Sequence, residues 1–85
     1  TVFIAVKTNQ HNERWAQHFQ RVTENIHGVL EVYRMGGEVD YLVKAVVKDM
    51  PGYDVLYQEL IKADLFDVSA SFVMEPLKQT TELPL

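Results

Sequence analysis

Apolar and polar positions along the 85 residues group into six blocks. Val2-Phe3-Ile4-Ala5-Val6-Lys7 is β-branched and aromatic, and the polar cluster Thr8-Asn9-Gln10 ends it, which predicts a mostly buried strand. Trp15, Phe19, Val22 and Ile26 recur at i, i+4, i+7 and i+11, the narrow apolar stripe of a helix. Asn12 suits its N-cap, with Asn9 as the alternative, and Gly28 stands where a helix end favours positive φ. Val29 to Met35 and Val39 to Lys48 are two further β-rich runs, separated by Gly36-Gly37-Glu38, whose glycines suit a primed hairpin turn or a bulge. Asp49 predicts a second N-cap, with Pro51 tolerated in the first turn. Tyr53, Leu56, Tyr57, Leu60 and Ile61 then form the apolar face of a second helix. Val68 to Met74 is a fourth strand that Pro76 closes, and the tail from Thr80 to Leu85 is extended and still apolar.

The order β-α-β-β-α-β predicts an α+β, ferredoxin-like sandwich with the first and third strands side by side in an antiparallel sheet. Two helices cover one face of four strands, so the other face should read as alternately polar if it meets water. It does not. Phe3 and Ala5 lie opposite Val2, Ile4 and Val6, while Leu42 and Val46 share a face with Lys44 and Lys48. An uncovered face bearing Phe, Leu and Val marks an interface, so the sheet is expected to stack on a second copy as a dimeric α+β barrel. The competing expectation is a mixed face with scattered apolar residues.

Composition adds bounds to that picture. With 47% hydrophobic and 24% charged residues the chain reads as a single globular domain over 1–85. The absence of cysteine removes disulfides, thiolate zinc sites and cysteine nucleophiles. So small a core without staples favours oligomerisation. Eight basic residues against twelve acidic give a net charge of −4, the wrong sign for gripping nucleic acid. No apolar run is long enough for a membrane span, and the N-terminus lacks a signal-peptide pattern. A chain that starts directly in a strand suggests a domain from a longer, cytoplasmic protein.

Candidate chemistry is sparse. His11 and His18 are about 10.5 Å apart along a helix, too far for shared ligation, so no metal is expected and they read as helix-boundary residues. His27 sits in the last turn, favourable at the negative end of the helix dipole. Glu38 and Asp40 lie two apart, on one face of a strand about 6.6 Å apart. They are open to three readings: an acid–base pair, a solvated turn, or one half of a ligand site. In the third, turn amides beside the glycines cradle a carboxylate and an acid takes an ammonium group, the two ends of an α-amino acid. Ser69 and Ser71 leave room on one sheet face for a ligand or a facing sheet. Thr80-Thr81 suits a ligand or a turn equally.

Gly37-Glu38-Val39-Asp40-Tyr41-Leu42 with Lys44, Val46 and Val47, then Asp49-Met50 leading into Tyr53, resembles the central signature of the Lrp/AsnC family. The likeness continues through Ser71-Phe72-Val73-Met74-Glu75, Lys78, Thr80-Thr81 and the Leu83-Pro84-Leu85 ending. The resemblance covers most of the chain and is densest from Gly36 onward. It implies the C-terminal effector domain of feast/famine transcription regulators, the "regulation of amino acid metabolism" fold. That fold dimerises through its sheets, commonly assembles into rings of four dimers, and binds amino acids near the glycine–acid–x–Asp–Tyr turn. Carried over by position, the effector contacts would be Met35, Gly36, Gly37, Glu38, Asp40 and Tyr41, with Ser71, Thr80 and Thr81 acting across an interface. Asp40 would hold the ligand ammonium and the amides of Gly36 to Glu38 its carboxylate; for Tyr41, plain sheet packing weighs equally. The family's DNA-binding helix-turn-helix is absent from this chain, which is then either part of a longer regulator or a stand-alone effector module. No cofactor is implied. Two other classes share the element order: small dimeric α+β barrel enzymes, such as monooxygenases and isomerases, and ligand-free oligomerisation modules. Histidines on the first helix and none on a strand weigh against the enzymes.

Overall fold

A computed structural model describes residues 1–84; Leu85, the last residue of the Leu83-Pro84-Leu85 ending, lies outside the described residues. The elements are β1 (Val2–Lys7), α1 (Glu13–Glu24), β2 (Val29–Arg34), β3 (Tyr41–Ala45), α2 (Met50–Leu60), a 3-10 turn (Ile61–Ala63) and β4 (Asp67–Phe72). The four strands form one antiparallel sheet in the order β2-β3-β1-β4, the ferredoxin-like arrangement, with the first and third strands central.

Both N-caps follow their sequence signals. The Asn12 side chain accepts from the Trp15 amide at 2.8 Å, and the Asp49 carboxylate accepts from the Gly52 amide at 2.8 Å, with Pro51 in the first turn. Helix α1 ends at Glu24, earlier than its stripe suggests. His27 and Gly28 therefore lie in the following turn, where Gly28 has φ of +100°. The third strand stops at Ala45, short of the expected Lys48, because both neighbours run out there: Ala45 faces Val2 at the start of β1 and Val29 at the start of β2, and the Val46 amide makes the last rung, to the Gly28 carbonyl at 2.9 Å.

The core lies between helices and sheet. Val2, Ile4 and Val6 of β1, Val43 and Ala45 of β3, Trp15 and Phe19 of α1, Ile26, and Leu56 and Leu60 of α2 are buried together. The Trp15 ring stacks on Phe19 at 5.1 Å, and Tyr41 leans on both, at 5.6 and 4.8 Å. The Trp15 indole N–H donates to the Ala63 carbonyl at 2.9 Å, so the buried ring's polar atom is satisfied.

On the face away from the helices, the register sets Phe3, Ala5 and Lys7 beside Leu42 and Lys44. Glu31 and Tyr33 flank them on β2, and Asp67, Ser69 and Ser71 on β4. Phe3, Ala5 and Leu42 are only half-buried although they sit on central strands. The described chain places no helix over this face.

Candidate functional site

The β2–β3 connection holds most of the residues expected to bind a ligand. It is a six-residue loop from Met35 to Asp40, longer than a two-residue primed turn, closed by the Met35 amide donating to the Asp40 carbonyl at 2.9 Å. One glycine is conformationally required: Gly37 has φ of +120°, whereas Gly36 has no positive φ. Met35, Gly36, Gly37 and Glu38 are exposed, and of their amides only that of Met35 is engaged in the bond just described.

Asp40 is held differently. Its amide donates to the Val6 carbonyl at 3.0 Å, and its Oδ2 accepts from the buried Thr8 amide at 2.9 Å. The carboxylate thus closes the end of β1 with one oxygen. Glu38 and Asp40 belong to the loop and not to the strand, and they differ in exposure: Glu38 is exposed, Asp40 half-buried. Tyr41 does what packing predicts, closing the aromatic cluster with Trp15 and Phe19.

Asp40 and Tyr41 also line a cleft of about 860 Å³ between α1 and the edge strand β2. Phe19, Ala16, Val29 and Val32 give it an apolar wall, and Glu13, Glu24, Glu31 and Arg34 stand along it. The apolar periodicity located Phe19 and Tyr41, but nothing in the sequence paired α1 with the β2 edge as a cleft. Beside it, the Tyr33 hydroxyl donates to Glu31; that bond, with smaller effects from desolvation and the glutamate charge, holds the phenol above its ordinary pKa.

Ser71, Thr80 and Thr81 are elsewhere. Ser71 pairs with Phe3 on the opposite edge strand, whereas Tyr41 pairs with Val6, so they differ by three residue rises, about 10 Å, along the sheet. Thr80 and Thr81 are exposed in the extended tail, where the Thr80 hydroxyl accepts from the Glu82 amide at 3.1 Å. One chain therefore holds Met35 to Tyr41 in one continuous stretch and Ser71 away from it, on the far edge strand. Among the described residues no three His, Asp or Glu side chains gather as metal ligands, and no helix is long and apolar enough to cross a membrane.

Residues 1–83 match the Lrp/AsnC ligand binding domain family. The chain is 41% identical over 87 residues to the DNA-binding transcriptional activator DecR of Escherichia coli strain K12, covering 100% of this chain and 57% of that protein. Among solved structures it resembles an AsnC family transcriptional regulator from Agrobacterium tumefaciens, with TM-score 0.84, 43% identity and coverage of 98% of this chain and 55% of the other. A transcriptional regulator from Neisseria meningitidis, NMB0573, solved in complex with L-Met, matches with TM-score 0.82, 27% identity, and 98% and 55% coverage. The chain spans about half the length of the curated relatives it matches.

Proposed function

The chain belongs to the Lrp/AsnC ligand-binding domain family, a family of transcription regulators and not of enzymes, and from that premise we propose that it is the amino-acid-sensing, oligomerising domain of a feast/famine-type regulator. The observation that carries this reading is the Neisseria relative, alike in fold over nearly the whole chain and bound to an amino acid. DNA binding then belongs to a helix-turn-helix outside this chain, in keeping with a net charge of −4 here.

In this reading the effector sits at the β2–β3 loop. The exposed amides of Gly36, Gly37 and Glu38 take its carboxylate, with Met35 beside them, and Asp40 takes its ammonium through the oxygen that Thr8 leaves free. Tyr41 backs the loop from the core side. Ser71, Thr80 and Thr81 join from a neighbouring protomer, Ser71 because its own chain holds it on the far edge strand. The working unit is a homodimer that assembles further, as four dimers, in the cytoplasm.

A thermal-shift screen over the twenty amino acids tests this. A ligand bound only by the folded state raises stability by mass action, about 2.7 kcal/mol at a hundredfold excess over Kd. Stabilisation by one or two amino acids is the expected result. No response to any of them at millimolar concentration would leave the oligomerisation module as the better reading.

A further inference from the structure

Two polar side chains are buried among the described residues, Thr8 and Thr23. Thr23 serves its own helix, its hydroxyl donating back to the Phe19 and Gln20 carbonyls, each at 3.0 Å. Thr8 reaches outside its element. It stands one residue past the end of β1, 6% exposed, and its bonds run forward into a turn and across to Asp40.

The Thr8 hydroxyl accepts from the Gln10 amide at 3.0 Å, the bond to the second residue on by which a threonine folds its own backbone. The far end of that turn is tied down as well, by the Gln10 Nε2 donating to the Asp64 carboxylate at 2.6 Å. Strand pairing has already ended. The Val6 carbonyl takes the Asp40 amide, the Lys7 carbonyl takes the Phe66 amide, and no strand residue is paired with Thr8. A buried amide left without an acceptor costs about 1–3 kcal/mol. The Asp40 carboxylate supplies the acceptor, at 2.9 Å.

The consequence falls on the carboxylate's second oxygen. An aspartate on a loop is otherwise free to turn about its side-chain bonds, and it must surrender that freedom when it takes a ligand. Here Oδ2 is held by the backbone of a braced turn, so the ordering is complete before any ligand arrives. Oδ1 is the oxygen left to bind.

We infer that Thr8 is a positioning residue of the effector site: its hydroxyl folds the turn that sets its amide on Asp40 Oδ2, and this presents Oδ1, already oriented, to the ligand's ammonium. The inference rests on the effector reading of Asp40 and adds to it the group that holds the carboxylate in place. Thr8 acts through Asp40 and needs no contact with the ligand.

Thr8→Val keeps the shape of the side chain and deletes the hydroxyl, whereas Thr8→Ser keeps the hydroxyl and deletes a methyl. One readout needs no ligand. In Thr8→Val the amide of residue 8 should exchange with deuterium about tenfold faster than in the parent, while the Asp40 amide stays as slow as before. In Thr8→Ser both amides should match the parent. The other readout is calorimetric titration with the twenty amino acids and, for the tightest binder, with the matching carboxylic acid that lacks the ammonium group. Thr8→Val should weaken the amino acid about fivefold, the order expected for one side chain that must now be immobilised on binding, and the ammonium-free acid not at all. Thr8→Ser should regain most of that loss, and Thr8→Ala, which sets no second methyl among polar groups, should behave as Thr8→Val does. In the Asp40→Asn background Thr8→Val should cost nothing further, since there is no ammonium contact left to orient. Equal losses for the two ligands, or an undiminished loss in the double variant, make Thr8 a purely structural residue and overturn the inference. An unchanged amide at residue 8 overturns it too. The failures are separable: a parent that binds none of the twenty refutes the effector reading and the role of Thr8 with it. A parent that binds while Thr8→Val binds equally well refutes the role of Thr8 alone.

Discussion

Gly28 and Gly36 are the same residue type with opposite sensitivities. Gly28 has φ of +100°, and a Cβ there would meet the Val46 carbonyl oxygen at 2.8 Å, a backbone atom that cannot move aside. Gly28→Ala is therefore expected to cost about 2–3 kcal/mol, lowering the melting temperature by roughly 10–20 °C. Gly36 has ordinary φ and nothing within 4 Å, so Gly36→Ala should change stability by less than about 0.5 kcal/mol. Urea unfolding of both separates backbone strain from a mere glycine effect; equal losses would contradict the geometry. Asp40 supplies the functional counterpart. An ammonium–carboxylate hydrogen bond contributes about 1.5–3 kcal/mol, so Asp40→Asn should weaken effector binding roughly tenfold or more in calorimetric titration. The fold should survive, because an asparagine oxygen can still accept from the Thr8 amide. Glu38→Gln, exposed at the loop, should matter less. Unchanged affinity in Asp40→Asn refutes its assignment to the ammonium.

At the level of elements, helix starts were legible and strand limits were not, for a physical reason. A cap is written in one side chain: Asn12 and Asp49 each satisfy an amide three residues on, as a short polar residue before an apolar stripe predicts. An end is decided by distant partners. The β-rich run through Val46 and Val47 cannot continue β3, because the neighbouring strands begin opposite Ala45, at Val2 and Val29, and leave it nothing further to pair with. Likewise Val39 and Asp40 look like strand residues, yet Asp40 is spent closing β1 at Val6 and Thr8. The candidate site follows the same rule. The stretch from Met35 to Tyr41 is contiguous in the sequence itself, whereas the separation of Ser71 from it depends on strand order and register. The two caps lie on different helices with no shared partner, so they afford a direct check. Asn12→Ala and Asp49→Ala should each lose about 1 kcal/mol, and the double variant their sum to within about 0.5 kcal/mol in chemical denaturation.

For the whole molecule the decisive feature is the bare sheet face. Phe3, Ala5 and Leu42 sit on the two central strands and remain half open, ringed by Lys7, Lys44, Glu31 and Asp67. An apolar centre inside a rim holding two charges of each sign is complementary to a copy of itself, as a two-fold interface requires. The face is therefore expected to be buried in a dimer at micromolar concentration, and sedimentation should find no monomer. Leu42→Asp places a charge at the centre of the patch without touching the buried core, whose members Val43 and Ala45 point the other way. Burying that charge twice at a two-fold contact would oppose association strongly. The variant should sediment as a folded monomer with parental circular dichroism, and at the dilutions used it should lose effector binding. A parent chain that stays monomeric and fully folded at tens of micromolar would show that the face meets water after all. A Leu42→Asp chain that still dimerises would move the interface to another surface.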